Sequence, residues 1–166
     1  MALDGALLSC LRQELWEALP DARIDKIHQP AREDLMIALR FKGGNRKLYL
    51  SAGANSPRIH FIEETPENPP QPPMFCMLLR KHLTGARLSD IRQLPMERMA
   101  RFIFDCTDEM GYPVQKQLVV ELMGRTCNLY LLDGEERIID CLRRVGLDES
   151  ANRAALPGLR YQEPTP

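Results

Sequence analysis

The sequence has no paired cysteines at short spacing, no long apolar run and no strong charge of either sign, and each absence removes a class of protein. Its five cysteines, Cys10, Cys76, Cys106, Cys127 and Cys141, are odd in number and widely spaced. They read as free thiols in a reducing compartment, not as a disulfide framework. No pair has C-x-x-C spacing, and His28, His60 and His82 stand apart from them, so no zinc motif is formed and no metal or cofactor is expected. Asp4 stands where a secretory leader would carry basic residues, and the apolar run Leu118–Met123 is interrupted by Glu121. Neither a leader nor a membrane span is expected, which points to the cytoplasm. The net charge of -1 argues against tight nucleic-acid binding through total charge alone.

Distribution matters more than the total. Between Leu35 and Ile62 stand Arg40, Lys42, Arg46, Lys47 and Arg58 with no acidic residue, so a basic face is expected there. The hydrophobic fraction of 44% over 166 residues is that of one domain with its own core.

Asp4 is placed to cap a helix on which Leu7, Leu8, Leu11, Leu15, Ala18 and Leu19 share a face, with Pro20 ending it. Short runs with strand character follow at Arg23–His28, Leu35–Phe41, Lys47–Ser51 and Arg58–Ile62, with a hairpin turn around Lys42-Gly43-Gly44-Asn45. The stretch from Thr65 to Pro73 holds five prolines and reads as a rigid crossover into a second helix. On that helix Phe75, Leu78, Leu79 and His82 share the apolar face, and Gly85 ends it. Further strands are expected at Arg87–Gln93, Arg98–Cys106, Gln117–Leu122, Asn128–Leu132 and Arg137–Leu142, with Asp133-Gly134 as a turn between the last two. The architecture expected is α+β, a β-sandwich flanked by two helices.

Three segments carry a family resemblance: Met1-Ala-Leu-Asp-Gly5, Pro72 through Leu83, and Val120-Glu-Leu-Met-Gly-Arg-Thr-Cys-Asn-Leu129. With Ala22–Pro30, Ser51–Arg58 and Asp140–Val145 they span nearly the whole chain, which resembles the N-terminal domain of the NFACT family, also called fibronectin/fibrinogen-binding protein A. The resemblance implies a fold related to the N-terminal domain of formamidopyrimidine DNA glycosylase. Longer members continue into a helix-hairpin-helix segment, a coiled coil and an RNA-binding C-terminal domain, so residues 1–166 read as a fragment. It also implies a non-catalytic part in ribosome quality control and rescue. The partners would be the stalled large ribosomal subunit with its rRNA and peptidyl-tRNA, and tRNA itself, alanyl-tRNA in bacteria. The tRNA would serve template-free tailing of the nascent chain.

Glu97-Arg98 matches a family Asp-Arg pair implicated in tailing, with glutamate here in place of aspartate. An arginine fork can grip a phosphate or a base edge. The resemblance extends the tRNA site to Glu121-Leu122-Met123 and to Asp4. A buried Glu121 would need a partner, with Arg98 and Arg125 as candidates. Arg125 follows Gly124 at an expected bulge; the family usually has His-Ser next, where this chain has Thr126-Cys127. Arg58, Arg80 and Lys81 are further candidate RNA contacts, although Arg80, Lys81 and His82 also suit a helix C-terminus, and His82 reads as a satisfied core histidine. Three other readings compete, one of them a plain structural module that orders neighbouring domains. A glycosylase of related fold would begin with proline and glutamate, whereas Met1 here is followed by Ala2-Leu3. The older family name implies an adhesin that binds fibronectin or fibrinogen.

Overall fold

The computed structural model describes residues 21–53, 56–93, 98–123, 127–146 and 153–164. Nine strands are seen: β1 (Arg23–Ala31), β2 (Asp34–Phe41), β3 (Gly44–Ser51), β4 (Arg58–Ile62), β5 (Arg87–Gln93), β6 (Met99–Thr107), β7 (Pro113–Glu121), β8 (Asn128–Leu132) and β9 (Ile138–Cys141). A helix, α1 (Met74–Leu83), lies between β4 and β5. The strands form one sheet in the order β4-β3-β2-β1-β5-β6-β7-β8-β9, antiparallel at every junction.

The α+β sandwich flanked by two helices is therefore corrected to a β-rich fold, with one helix among the described residues. The first helix expected from the sequence, with Asp4 at its start, lies outside them. The two arms that periodicity suggests as separate layers are fused along β1 and β5. That seam is narrow: it holds one register pair, Arg23 with Arg87, reinforced by bonds from Leu88 N to Ala22 O (2.8 Å), Gly85 N to Ile24 O (2.8 Å) and Ile24 N to Ala86 O (2.9 Å).

Beyond the seam α1 covers the edge of β1. Arg80 Nε donates to Ile27 O at 2.7 Å, and Cys76 Sγ lies 3.7 Å from the same oxygen. The buried face of α1 is Phe75, Cys76, Leu79 and Leu83, rotated from the expected one. Leu78 and His82 are only half-buried, so His82 is not a core histidine; its Nδ1 lies 3.0 Å from Lys116 Nζ. One core joins both arms through Ile27, Ile37, Leu48 and Leu50 on one side, Phe102, Phe104, Leu118 and Leu131 on the other, and Phe75 and Leu79 from α1. Each such side chain contributes about 1.5–3 kcal/mol when fully buried.

Turn chemistry fixes the hairpins. Gly44, at φ 145°, begins β3 directly after the Lys42-Gly43 loop and uses backbone that side chains rarely adopt. After β8, Asp133 Oδ1 accepts from Glu135 N (2.8 Å) and Arg137 N (3.0 Å), which makes the expected Asp-Gly turn an Asx-type one. β7 starts at Pro113, earlier than its apolar run suggests, because its polar first half pairs along β6 up to Thr107.

A second cluster, on the other face of β7, β8 and β9, holds Val119, Tyr130, Leu132, Ile138 and Cys141, and is covered by Ala155 and Tyr161. The run Leu118–Val120 is continuous because β7 is buried on both faces at that end. Arg143 ties the β1–β2 turn, the end of β3 and the start of β8 together: its guanidinium donates to Cys127 O (2.8 Å) and Ala52 O (3.0 Å) and pairs with Glu33.

Candidate functional site

The β6–β7 pairing sets Met99 opposite Glu121, and the bond from Leu122 N to Arg98 O (2.9 Å) extends it by one step. Arg98 and Glu121-Leu122-Met123 therefore meet, although 23 positions of sequence separate the two ends of this pairing at Arg98 and Glu121. Arg98 does not open the strand as its sequence position suggests. It sits in the turn before β6 at φ 65°, the left-handed region, which costs a non-glycine residue roughly 1–2 kcal/mol. Its backbone is held by Leu122 and its side chain is half-buried.

Glu121 has no exposed surface, which rules out an edge-strand glutamate facing solvent. Among the described residues its partner is Arg153, not Arg98, while Arg125 lies outside them. Arg153 donates from Nη1 to Oε1 at 3.2 Å and from Nη2 to Oε2 at 2.6 Å, and the Tyr161 hydroxyl donates to Oε2 at 2.5 Å. A fork of this kind is the strong form of a charge-assisted pair. Arg153 Nη2 also lies 3.3 Å from the Tyr130 hydroxyl, and its guanidinium lies near both tyrosine rings, 5.9 Å from the Tyr130 centroid and 5.7 Å from that of Tyr161. The rings meet edge-on at 4.9 Å.

On the far side of Tyr161, Arg101 lies 5.2 Å from the ring centroid and reaches Gln117 (3.0 Å), Glu136 (2.5 Å) and Glu163 (2.8 Å). Residues 153–164 thus form a strap that satisfies one buried carboxylate and supplies another to a nearly buried arginine. Glu121 is a support beneath the Arg98 turn and has no surface to offer a ligand. Leu122 is buried as well, while Met123 is half-buried.

Of the other residues singled out in the sequence, Asp4, Glu97 and Arg125 lie outside the described residues. Arg58 is on β4, the edge strand at the opposite end of the sheet order. It bonds Ser56 O at 3.1 Å and lies 5.5 Å from the Tyr49 ring centroid. Arg80 is engaged with Ile27 O and with His28 Nδ1 at 3.1 Å, a structural use, and Lys81 is exposed beside it. Among the described residues no group of His, Cys, Asp or Glu is placed to hold a metal ion, and no helix is long and apolar enough to cross a membrane. Cys76, Cys106, Cys127 and Cys141 form no disulfide among the described residues. Burial pushes the Cys127 thiol up, the Glu121 charge adds to this, and the Arg98 charge opposes it.

The strap has a consequence for alkaline stability. Burial and then the Glu121 charge push the Tyr130 phenol up to about 12, and the same two causes raise Tyr161. Burial, then Asp140, pushes the Cys141 thiol up to about 12. For each group the folded chain holds its proton at a pH where the unfolded chain has released it. Their stabilisation is complete below the ordinary values of 9.0 for the thiol and 10.0 for the phenols, and is lost as pH rises toward 12. Urea midpoints are expected to fall between pH 9 and 11, and Tyr161→Phe should make that fall shallower. Equal slopes in parent and variant would show that Tyr161 does not carry the effect.

The fold and site define a β-rich scaffold carrying an arginine in a strained turn above a buried ion pair. The model of the NFACT N-terminal and middle domains matches residues 4–166, and the chain belongs to this family. It is 40% identical over 165 residues to the Rqc2 homolog RqcH of Bacillus subtilis, covering 99% of this chain and 29% of that protein. It is 33% identical over 137 residues to the human ribosome quality control complex subunit NEMF, covering 82% of this chain and 12% of that one. The crystal structure of the N-terminal domain of the fibronectin-binding protein PavA from Streptococcus pneumoniae superimposes with a TM-score of 0.93 at 34% identity. That match covers 99% of this chain and 63% of the other. The chain spans less than a third of the length of the bacterial RqcH relatives it matches.

Proposed function

We propose that this chain is the tRNA-facing N-terminal module of a cytoplasmic ribosome quality-control factor. It helps hold tRNA, alanyl-tRNA in bacteria, on the stalled large subunit with its peptidyl-tRNA, so that the nascent chain is extended without a template. The module performs no bond chemistry; the ribosome's own centre joins the amino acids.

The observation that carries this reading is the coupling of Arg98 to Leu122 and Glu121. A cationic fork is held in a fixed turn by a main-chain bond and underlain by a locked carboxylate, the rigid support that precise recognition of a phosphate or base edge requires. The names of the relatives support the ribosomal setting.

The test removes residues 1–166 from the full-length factor. The remainder should still co-sediment with large subunits but bring down less than about a tenth of the tRNA, a loss of at least about 1.4 kcal/mol in binding. Undiminished tRNA recovery would refute the assignment.

The fibronectin-binding reading rests on the likeness to PavA. It predicts saturable binding of the chain to immobilised fibronectin and protease cleavage of the protein on intact cells.

A further inference from the structure

A groove of about 550 Å³ lies where the end of β1, the proline segment entering α1, and β9 converge. Four properties of its lining specify a ligand.

The first is the start of α1. Pro73 occupies the N-cap without any side-chain hydrogen bond, and the first turn holds no acidic residue. Met74 and Phe75, whose N–H groups belong to that uncapped turn, line the groove. A helix start of this kind favours an anion. The second is a pair of arginines. Arg32 is exposed at the mouth, and Arg144 is oriented by the buried Asp140, whose Oδ1 lies 3.3 Å from both Nε and Nη2. Both arginines also line an adjoining hollow of about 350 Å³.

The third is Gln29, which is 5% exposed. Its Nε2 donates to Arg32 O at 3.0 Å, which fixes the amide's orientation, and its buried Oε1 has no hydrogen-bond partner among the described residues. An acceptor left this way costs about 1–3 kcal/mol, which a ligand donor would recover. The fourth is an apolar wall of Pro30, Pro69, Met74 and Leu142.

The ligand must join an anionic group, a nearby N–H or O–H donor and a flat apolar body. We propose that the groove holds one unstacked nucleotide of single-stranded RNA. Its phosphate lies toward Arg32, Arg144 and the start of α1, and its base lies against the prolines and Met74. A ribose hydroxyl or exocyclic amine donates to Gln29 Oε1. This rests on the RNA-facing reading above, but uses none of the residues that carry it.

The test is fluorescence anisotropy of the 166-residue chain with a labelled single-stranded RNA hexanucleotide bearing a 5′ phosphate. Arg32→Ala and Arg144→Ala should each weaken binding about ten-fold. Gln29→Leu should weaken it comparably with little change in the thermal midpoint, since removing the unpaired Oε1 offsets the loss of the Nε2 bond to Arg32 O. Arg92→Ala, at an exposed position on β5 outside the groove, should change it less than about two-fold.

RNA binding unchanged in all three groove variants would overturn the nucleotide assignment and leave the Arg98 reading standing. So would loss confined to Arg92→Ala. Displacement by inorganic phosphate as effectively as by RNA would reduce the groove to an adventitious anion site only. Tighter binding of a short peptide with a free carboxylate would make it a peptide site. Either result overturns the proposal.

Discussion

Arg153→Ala is expected to cost about 3–5 kcal/mol of stability, the largest loss of any single truncation considered for this chain. The reason is not the intrinsic strength of the pair. Glu121 is fully buried, and Arg153 supplies both oxygens with charge-assisted bonds. Without it the carboxylate keeps, among the described residues, the Tyr161 hydroxyl, in a fully buried site. An uncompensated buried charge of this kind carries the quoted penalty. Removing both charges should therefore be milder than removing one. Glu121→Gln with Arg153→Met is expected to recover at least half of the loss, since the amide still accepts from Tyr161 and the thioether fills the space beside Tyr130. Urea unfolding of the parent, Glu121→Gln, Arg153→Met and the double variant closes the cycle, with Arg153→Ala measured beside it. A loss below about 1 kcal/mol for Arg153→Ala would mean that water reaches Glu121 and that the strap is loosely held.

This pair also marks where the sequence stops being informative. The strands β4, β5 and β8 stand at their expected bounds because each has a run of β-formers closed by turn residues. Their periodicity is a local property, and so is the Asp133-Gly134 turn. The seam between β1 and β5 is not local. It joins segments more than sixty positions apart through main-chain bonds, which leave no mark on side-chain pattern. The same holds for Glu121. Its place in an apolar run shows that a partner is needed, but Arg153, 32 residues on, lies in a stretch without periodicity, where one arginine looks like any other. The one available signal is the pair Tyr130 and Tyr161. Aromatic residues are scarce here, at 6% of the chain, and two of them bracket the ion pair. Arg101 falls within the strand expected at Arg98–Cys106, but nothing local marks it as a nearly buried hub, because Glu136 and Glu163 reach it from separate segments. Conversely, the resemblance located Arg98 and Glu121-Leu122-Met123 without implying their division of labour, in which one holds the other.

Arg98→Ala in the full-length factor is expected to cut tailing to below about a tenth while the domain stays folded. The backbone at this position is fixed by Leu122 N, a bond that every residue type at 98 can accept. Truncation therefore removes the guanidinium and leaves the turn in place. Arg98→Gly sharpens the test. At φ 65° glycine escapes the penalty that arginine bears, so this variant should be as stable as the parent or up to about 1 kcal/mol more stable, yet equally inactive. Stability and tailing then move in opposite directions, which a merely structural role for Arg98 cannot produce. Arg98→Lys keeps the charge and the strain but loses the planar fork, and should rescue little. Co-purified large subunits should be recovered at parental levels from all three variants if the remainder of the protein supplies that affinity, with bound tRNA reduced in each. Scoring subunit recovery, tRNA recovery and tail length separately places the defect. Normal tailing by Arg98→Gly would remove Arg98 from the tRNA site, and lost tailing with undiminished tRNA would move its role from holding tRNA to a later step.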